Sequence, residues 1–352
     1  MLDDFFSGKK IFITGHTGFI GSWLTKWLTM LNAEVCGYSL GPPTKPNMYE
    51  TLDLDGKIVD LRGDVRNRKA LKEALKSFNP EIIFHLAAQP IVLESYTNPT
   101  ETFKTNITGT VNILDGLRDT RSTRVIIVMT SDKVYKNNER IYPYKEIDPL
   151  GGKDPYSASK SCQDIIVNSF RESYFNNMGT SVSSIRAGNV IGGGDWGKYR
   201  IVPDIVKSLS KNNVIEIRNP NSVRPWQFVL EPIYGVLRLA EKMWHDIKFS
   251  GDWNFGPKLQ QEIPVRKLVE EFIKNWGGGN FSVINNSSTM EAKYLKLDIN
   301  KAIEELKWIP QYDFITVIKK TVDWYKKYYY DMSKIDLLTE TQINEYFSGI
   351  SK

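Results

Sequence analysis

The sequence is poor in the residues that most often carry acid–base, thiol and metal chemistry. Its 352 residues include three histidines (His16, His85 and His245) and two cysteines (Cys36 and Cys162). A zinc ribbon needs four Cys/His ligands at short spacing; no such cluster occurs, and no metal site is expected. Two cysteines cannot build a disulfide framework and suit a reducing compartment. Acid–base work should therefore fall to Tyr, Lys, Asp or Glu. Long apolar runs are missing too. No stretch approaches the ~18 apolar residues of a membrane span. The opening MLDDFFSGKK lacks a signal-peptide apolar core. These absences predict a cytoplasmic protein without a membrane partner. Like-charge runs are equally scarce: 46 Lys+Arg against 41 Asp+Glu leave a diffuse net charge of +5, which gives no nucleic-acid arm.

Apolar residues, in contrast, are plentiful. They make up 41% of the chain, with 12% aromatics and nine tryptophans. A chain of this length buries roughly 75% of its unfolded surface and suggests two domains, or one with an elaboration. Short apolar runs read as buried strands at Lys10–Thr14, Glu34–Leu40, Ile58–Leu61, Glu81–Ala87, Arg124–Thr130 and Val182–Arg186. Amphipathic stretches between them read as helices at Phe19–Leu31, Arg68–Phe78, Pro99–Arg118 and Pro155–Asn177. Strictly alternating strands and helices require crossovers, hence a doubly wound parallel α/β sheet of the Rossmann type. The pattern changes near residue 187. Shorter strands (Val214–Arg218, Trp253–Phe255) then mix with helices at Pro203–Ser210, Pro232–Trp244, Val265–Trp276, Asn300–Leu306 and Phe314–Tyr330. The expected organisation is a dinucleotide-binding domain over 1–186 and a smaller α/β substrate-binding domain over 187–352, with a segment near 220–256 returning to the first.

The first strand runs into Gly15-His16-Thr17-Gly18-Phe19-Ile20-Gly21, a G-x-x-G-x-x-G turn that opens a helix. Glycines there permit a tight turn and close backbone approach to a pyrophosphate, and the helix N-terminus offers free N–H groups. That placement favours dinucleotide binding over a plain strand–helix turn. His16 either contacts a phosphate or covers the loop. The ribose-binding acid expected about twenty residues on is missing: strand two ends Tyr38-Ser39-Leu40-Gly41-Pro42, which leaves NAD against NADP undecided.

Asp154-Pro155-Tyr156-Ser157-Ala158-Ser159-Lys160 is the most informative string. Asp154 is a good N-cap and Pro155 a good first helical residue, so Tyr156 and Lys160 share one helix face. A phenol of pKa ~10 is a poor base at neutral pH, but an adjacent ammonium and a nicotinamide cation both favour the phenolate.

With the glycine turn and this pair, the sequence resembles the extended short-chain dehydrogenase/reductases, which act on nucleotide sugars. In that resemblance Gly63-Asp64-Val65 matches the adenine-contacting segment and Leu86-Ala87-Ala88 the strand-four end that lines the cofactor. Thr105-Asn106 matches the central-helix asparagine. Thr130 and Arg186 join the cofactor-side set. After strand five stands Thr130-Ser131-Asp132-Lys133-Val134-Tyr135. The family's oxidoreductases and epimerases need the hydroxyl of Ser131, whereas the following acid and base are a feature of its 4,6-dehydratases. Asp132-Lys133 resembles the branch acting on CDP-glucose. So do the strings 85–90 (HLAAQP), 186–196 (RAGNVIGGGDW), 224–227 (RPWQ) and 294–298 (YLKLD).

The resemblance implies NAD as cofactor and CDP-glucose as substrate. Tyr156 would take the C4 hydroxyl proton, Ser131 would orient that hydroxyl, and Asp132 would protonate the departing 6-hydroxyl. Lys133 would act as the C5 base or stabilise the enolate. It further implies substrate contacts from Gln89, Asn189, Arg200, Arg224 and Tyr294, with Arg224 suited to a bidentate diphosphate contact. Leu93-Glu94-Ser95-Tyr96 departs from the branch, which carries a basic residue in this loop. The resemblance implies a homodimer through a four-helix bundle of Pro99–Arg118 and Pro155–Asn177, where Ile107, Val111 and Leu114 are either interface or core. It also implies a place in deoxysugar and surface-polysaccharide (lipopolysaccharide) biosynthesis. Dehydration of a dTDP- or UDP-sugar, 4-epimerisation, and a catalytically silent nucleotide-sensing scaffold are the competing expectations.

Overall fold

The computed structural model describes residues 2–258, 263–284 and 295–350. Seven strands form one sheet: β1 (Lys10–Thr14), β2 (Glu34–Ser39), β3 (Val59–Arg62), β4 (Ile82–His85), β5 (Val125–Met129), β6 (Ser181–Ala187) and β7 (Gly251–Phe255). Their order is β7-β6-β5-β4-β1-β2-β3, and every neighbouring pair is parallel.

The strands read as continuous apolar runs because both sheet faces are covered. Successive side chains point to opposite faces. Ile11, Ile13, Ile82, Phe84, Val125 and Ile127 join the larger core on one face, while Phe12, Ile83, Ile126 and Val128 join a second core on the other. The strand order reverses between β1 and β4. A ligand crevice is expected there, outside the carboxyl ends of the strands.

Helix α1 (Phe19–Met30) follows β1. Helix α2 (Arg68–Phe78) is capped by the Asn67 side chain, which accepts from Ala70 N at 3.1 Å. Helix α3 spans 99–117 and widens into a π-helical turn at Lys104–Thr108. Helix α4 begins at Pro155 and continues, through a second π turn at Arg171–Phe175, to Met178. Asp154 caps α4 as expected: its Oδ1 accepts from Ser157 N at 2.9 Å.

Two helices begin earlier than the prolines suggest. Pro203 and Pro232 lie third in Ile201–Leu209 and in α5 (Leu230–His245), because a first-turn residue needs no N–H. Helix α5 packs across β5 and β6, and β7 then extends the sheet beside β6.

The rest of the second half adds further helices and three two-stranded pieces. Val190–Ile191 pairs with Gln227–Phe228, Ile215–Ile217 with Phe281–Val283, and Val223–Arg224 with Ile263–Pro264. Helix α6 (Phe314–Tyr330) is followed by α7 (Ile335–Ile350), which lacks a strong apolar stripe. Tertiary partners hold α7 instead. Tyr346 stacks edge-on against Trp27 of α1, and Lys26 bridges to Asp336 and Glu340 at 2.7 Å each. Among the described residues no helix is long and apolar enough to cross a membrane.

Candidate active site

The glycine turn is a backbone cradle. Gly15 adopts φ +77°, and a Cβ there would sit 2.7 Å from Ala87 N, so β1 and the end of β4 close together only with glycine. A Cβ on Gly21 would collide with the Gly15 carbonyl. Gly18 precedes α1, and no side chain caps that end. The N–H groups of the first turn, Phe19 to Gly21, therefore have no intrahelical acceptor, an arrangement that suits an anion. Thr17 ties the turn to the end of β2, its Oγ1 lying 3.0 Å from Ser39 Oγ and donating to Leu40 O at 3.1 Å.

His16 covers the loop. Its fully buried ring has Nδ1 3.0 Å from Ser39 Oγ and Nε2 3.0 Å from Asp60 Oδ1. Burial pulls its pKa down to about 4, against the opposing pull of Asp60. Both ring nitrogens are thus taken, and the side chain is not a phosphate ligand. Asp60, on β3 beside the acid-free end of β2, also accepts from Tyr49 and Arg62 at 2.6 Å each.

Several residues expected at the cofactor also hold the walls of the crevice. The Val65 side chain belongs to the second core, and Asp64 is bound by Arg66. Asn106 is fully buried. Its Oδ1 accepts from Gln89 N at 2.8 Å and its Nδ2 donates to Ser159 Oγ at 2.8 Å, fastening the loop after β4 to α4. The Gln89 amide folds back on its own loop, donating to Ile91 O at 3.0 Å and Thr102 Oγ1 at 2.9 Å and accepting from Ile91 N at 2.6 Å. It is therefore not aimed at a substrate. Leu86, Ala87 and Ala88 follow β4 beside the glycine turn, with Ala87 N donating to Thr14 Oγ1 at 3.2 Å.

The reactive groups converge at the ends of β5 and β6 and the start of α4. Ser131 caps a 3-10 turn (Asp132–Val134); its Oγ accepts from Lys133 N at 3.2 Å and donates to Asp132 Oδ1 at 3.0 Å. Asp132 is 3% exposed, and burial raises its carboxyl pKa, opposed first by Lys133. Its carboxyl lies on Gly188, where any Cβ would overlap it. Asn189, in the left-handed region at φ +51°, places its Nδ2 3.4 Å from Asp132 Oδ2. Gly188 and Asn189 thus seat the acid. Only the long string around them hinted at this.

Tyr156 is buried, which pushes its phenol up to about 12; the Ser131 hydroxyl opposes this, as does the Arg200 charge. Lys160 is 3% exposed. Burial lowers its pKa to about 7 against the pull of Asp164, and its Nζ donates to Met129 O at 3.3 Å. The Tyr156 amide donates to Ser95 Oγ at 3.1 Å, so the loop departing from the branch anchors the start of α4. No sequence signal marked Ser95.

Arg200 immediately precedes Ile201–Leu209 and pairs with Asp195 at 3.0 Å. Arg224 lies close enough for its charge to lower the Asp132 pKa. Tyr294 lies outside the described residues.

Thr130 and Arg186 point beneath the site. Thr130 Oγ1 donates to Asp164 Oδ2 at 3.0 Å, and Arg186, 1% exposed, lies against Asp164 and Asp252 at 3.1 and 3.0 Å. Neither side chain reaches the crevice, because buried carboxylates claim both.

A doubly wound sheet, a glycine cradle at its switch point and a Tyr–Lys pair beside Ser131 define an extended short-chain dehydrogenase/reductase. Within that class, the chain belongs to the family described as GDP-mannose 4,6 dehydratase, whose model matches residues 12–321. It is 40% identical to the CDP-glucose 4,6-dehydratase of Salmonella typhimurium over the full length of both chains. It is 26% identical to a probable dTDP-glucose 4,6-dehydratase of Sinorhizobium fredii, with 90% of this chain and 92% of that one covered. Among solved structures, a Streptomyces venezuelae dTDP-glucose 4,6-dehydratase with NAD bound superposes with a TM-score of 0.79 at 22% identity, covering 93% of this chain and 99% of that one.

Proposed function

We propose that the protein is an NAD-dependent CDP-glucose 4,6-dehydratase, which releases water and CDP-4-keto-6-deoxy-D-glucose. The observation that carries this reading is Asp132: a buried carboxyl with a raised pKa, seated on Gly188 beside Ser131 and followed by Lys133. Burial favours the protonated carboxyl, the form that can deliver a proton to a leaving hydroxyl. An epimerase has no use for that proton. Full-length identity to the Salmonella enzyme supports CDP-glucose over dTDP- and UDP-linked sugars.

The chain fits NAD. The cradle of Gly15 and Gly21 has no room for side chains, and the open N-terminus of α1 would hold the pyrophosphate. Bound there, NAD+ would supply reversible hydride chemistry to the sugar at C4 and C6. Tyr156 accepts the C4 hydroxyl proton, while Ser131 orients that hydroxyl. Its phenol, raised by burial, needs the positive charges of Lys160 and the nicotinamide to reach the phenolate. The C4 ketone then acidifies the C5 proton, which Lys133 removes. Asp132 gives its proton to the 6-hydroxyl, which leaves as water. Lys133 would then return the proton to C5 as C6 is reduced. Arg224 binds the substrate diphosphate.

The protein works in the cytoplasm in deoxysugar formation for surface polysaccharide, as a homodimer through α3 and α4. The α4 side chains Ile165 (56% exposed) and Tyr174 support that face. Leu114, by contrast, is core.

Incubation with NAD+ and CDP-, dTDP- or UDP-glucose, read by mass spectrometry, tests the reading. Loss of one water from CDP-glucose is expected. An isomer of unchanged mass would establish epimerisation, and no turnover of any of the three would leave the silent scaffold. Lys133→Ala should keep C4 oxidation but lose solvent deuterium at C5; undiminished exchange would move the base elsewhere.

A further inference from the structure

Arg186 leaves the cofactor crevice but stays next to the reactive loop. Nε donates to both Asp164 oxygens at 3.3 Å, and Nη2 to Asp164 Oδ1 at 3.1 Å and Asp252 Oδ2 at 3.0 Å. Nη1 donates to the Tyr135 hydroxyl at 3.0 Å and to Glu146 O at 2.8 Å. We propose that Arg186 is a positioning residue for the reaction: it grips both ends of the loop carrying Ser131, Asp132 and Lys133, through Asp164 and Thr130 at one end and Tyr135 at the other.

Thr130 immediately precedes Ser131, and its hydroxyl bonds both Asp164 and Ile185 O. Tyr135 stands two residues after Lys133, is 1% exposed, and donates to Asn254 Oδ1 at 2.7 Å on β7. Between these anchors the loop is held by its own turn, Val134 N to Ser131 O at 3.4 Å and Lys133 N to Ser131 Oγ.

Asp164 has a second role. It lies eight residues after Tyr156 and four after Lys160 on α4, so all three share a helix face. The Arg186–Asp164 pair therefore sets the helix carrying Tyr156 and Lys160 against the strand end carrying Ser131. Ser184 braces the arrangement, its hydroxyl lying between the Asp164 and Asp252 carboxyls. A buried ion pair seldom stabilises a fold more than apolar residues of equal volume would. Geometry explains it better: the guanidinium spends all its directions on fixed acceptors, a fork that an ammonium cannot reproduce.

The proposal rests on the dehydratase reading, but one of its readouts does not. Arg186→Lys keeps the charge and loses the fork. Backbone amides 131–135 should then exchange hydrogen about tenfold faster, and kcat should fall about 100-fold, the cost of misplacing reacting groups by about 1 Å. KM for CDP-glucose and Kd for NAD should stay within about twofold, since neither ligand touches Arg186. Tyr135→Phe removes one anchor and should shift exchange and kcat in the same direction by less. Wild-type exchange and kcat in Arg186→Lys would overturn the proposal, and so would unchanged kcat with weakened NAD or CDP-glucose binding. If Arg186→Lys does not fold, wild-type exchange in Tyr135→Phe overturns it. Wild-type protein inactive on CDP-glucose would sink only the dehydratase reading, because the exchange comparison still decides the role of Arg186.

Discussion

Asp132 and Gly188 show how much of the site depends on single residues. The acid is useful because it is buried: desolvation raises its pKa and outweighs the nearby Lys133 and Arg224. Asp132→Asn should still accumulate reduced nicotinamide with CDP-glucose, visible by absorbance, but release no 6-deoxy product. Product at the wild-type rate would assign the leaving-group acid elsewhere. Gly188→Ala puts a methyl where the Asp132 carboxyl lies. Displacing that group should lower kcat about 100-fold with little change in KM, measured in steady-state assays. The residue scale also explains His16, Asn106 and Gln89. A motif names the side chain, while the hydrogen bonds around it decide whether it faces a ligand or its own loop.

At the scale of elements, α4 brings chemistry and stability together. Asp154 caps the helix and Tyr156 is its second residue, so fraying of the first turn moves the phenol. Asp154→Ala should cost about 1 kcal/mol in urea unfolding, and should lower kcat even where the protein remains fully folded. A variant with the expected stability loss and full activity would uncouple the two. The strands and most helices were legible because short continuous apolar runs and caps are local signals. The π turns inside α3 and α4 were not, since a one-residue widening leaves the apolar pattern nearly unchanged. Helix α7 was missed for a different reason: its contacts are scattered aromatic and charged side chains, with partners as distant in sequence as Lys26 and Trp27.

For the whole molecule, α7 closes the chain back on its beginning. Glu231 of α5 sits at that junction, 1% exposed, accepting from Gln311 N and Tyr312 N at 2.9 and 2.8 Å and from the Tyr346 hydroxyl. Burial raises its pKa to about 7, against the Tyr346 bond that lowers it. An unfolded glutamate titrates near ~4.3. The folded state therefore binds more protons between these values, and stability falls as pH rises from about 4.3 through 7. Glu231→Gln should flatten that decline in melting temperature between pH 5 and 8, and an unchanged slope would contradict it. Tyr346→Phe should cost about 1–3 kcal/mol, the range for leaving a buried acceptor unsatisfied, and chemical unfolding measures it.

The order of strands and helices, the cradle glycines, the Tyr–Lys spacing and the Asp132–Lys133 pair can all be read along the chain. Each is a local pattern of side chains on one strand, turn or helix face. Which polar side chains face the crevice cannot be read that way. Thr130, Arg186, Asn106 and Gln89 were turned into the walls by partners distant in sequence, because a buried donor or acceptor must be satisfied wherever packing places its match.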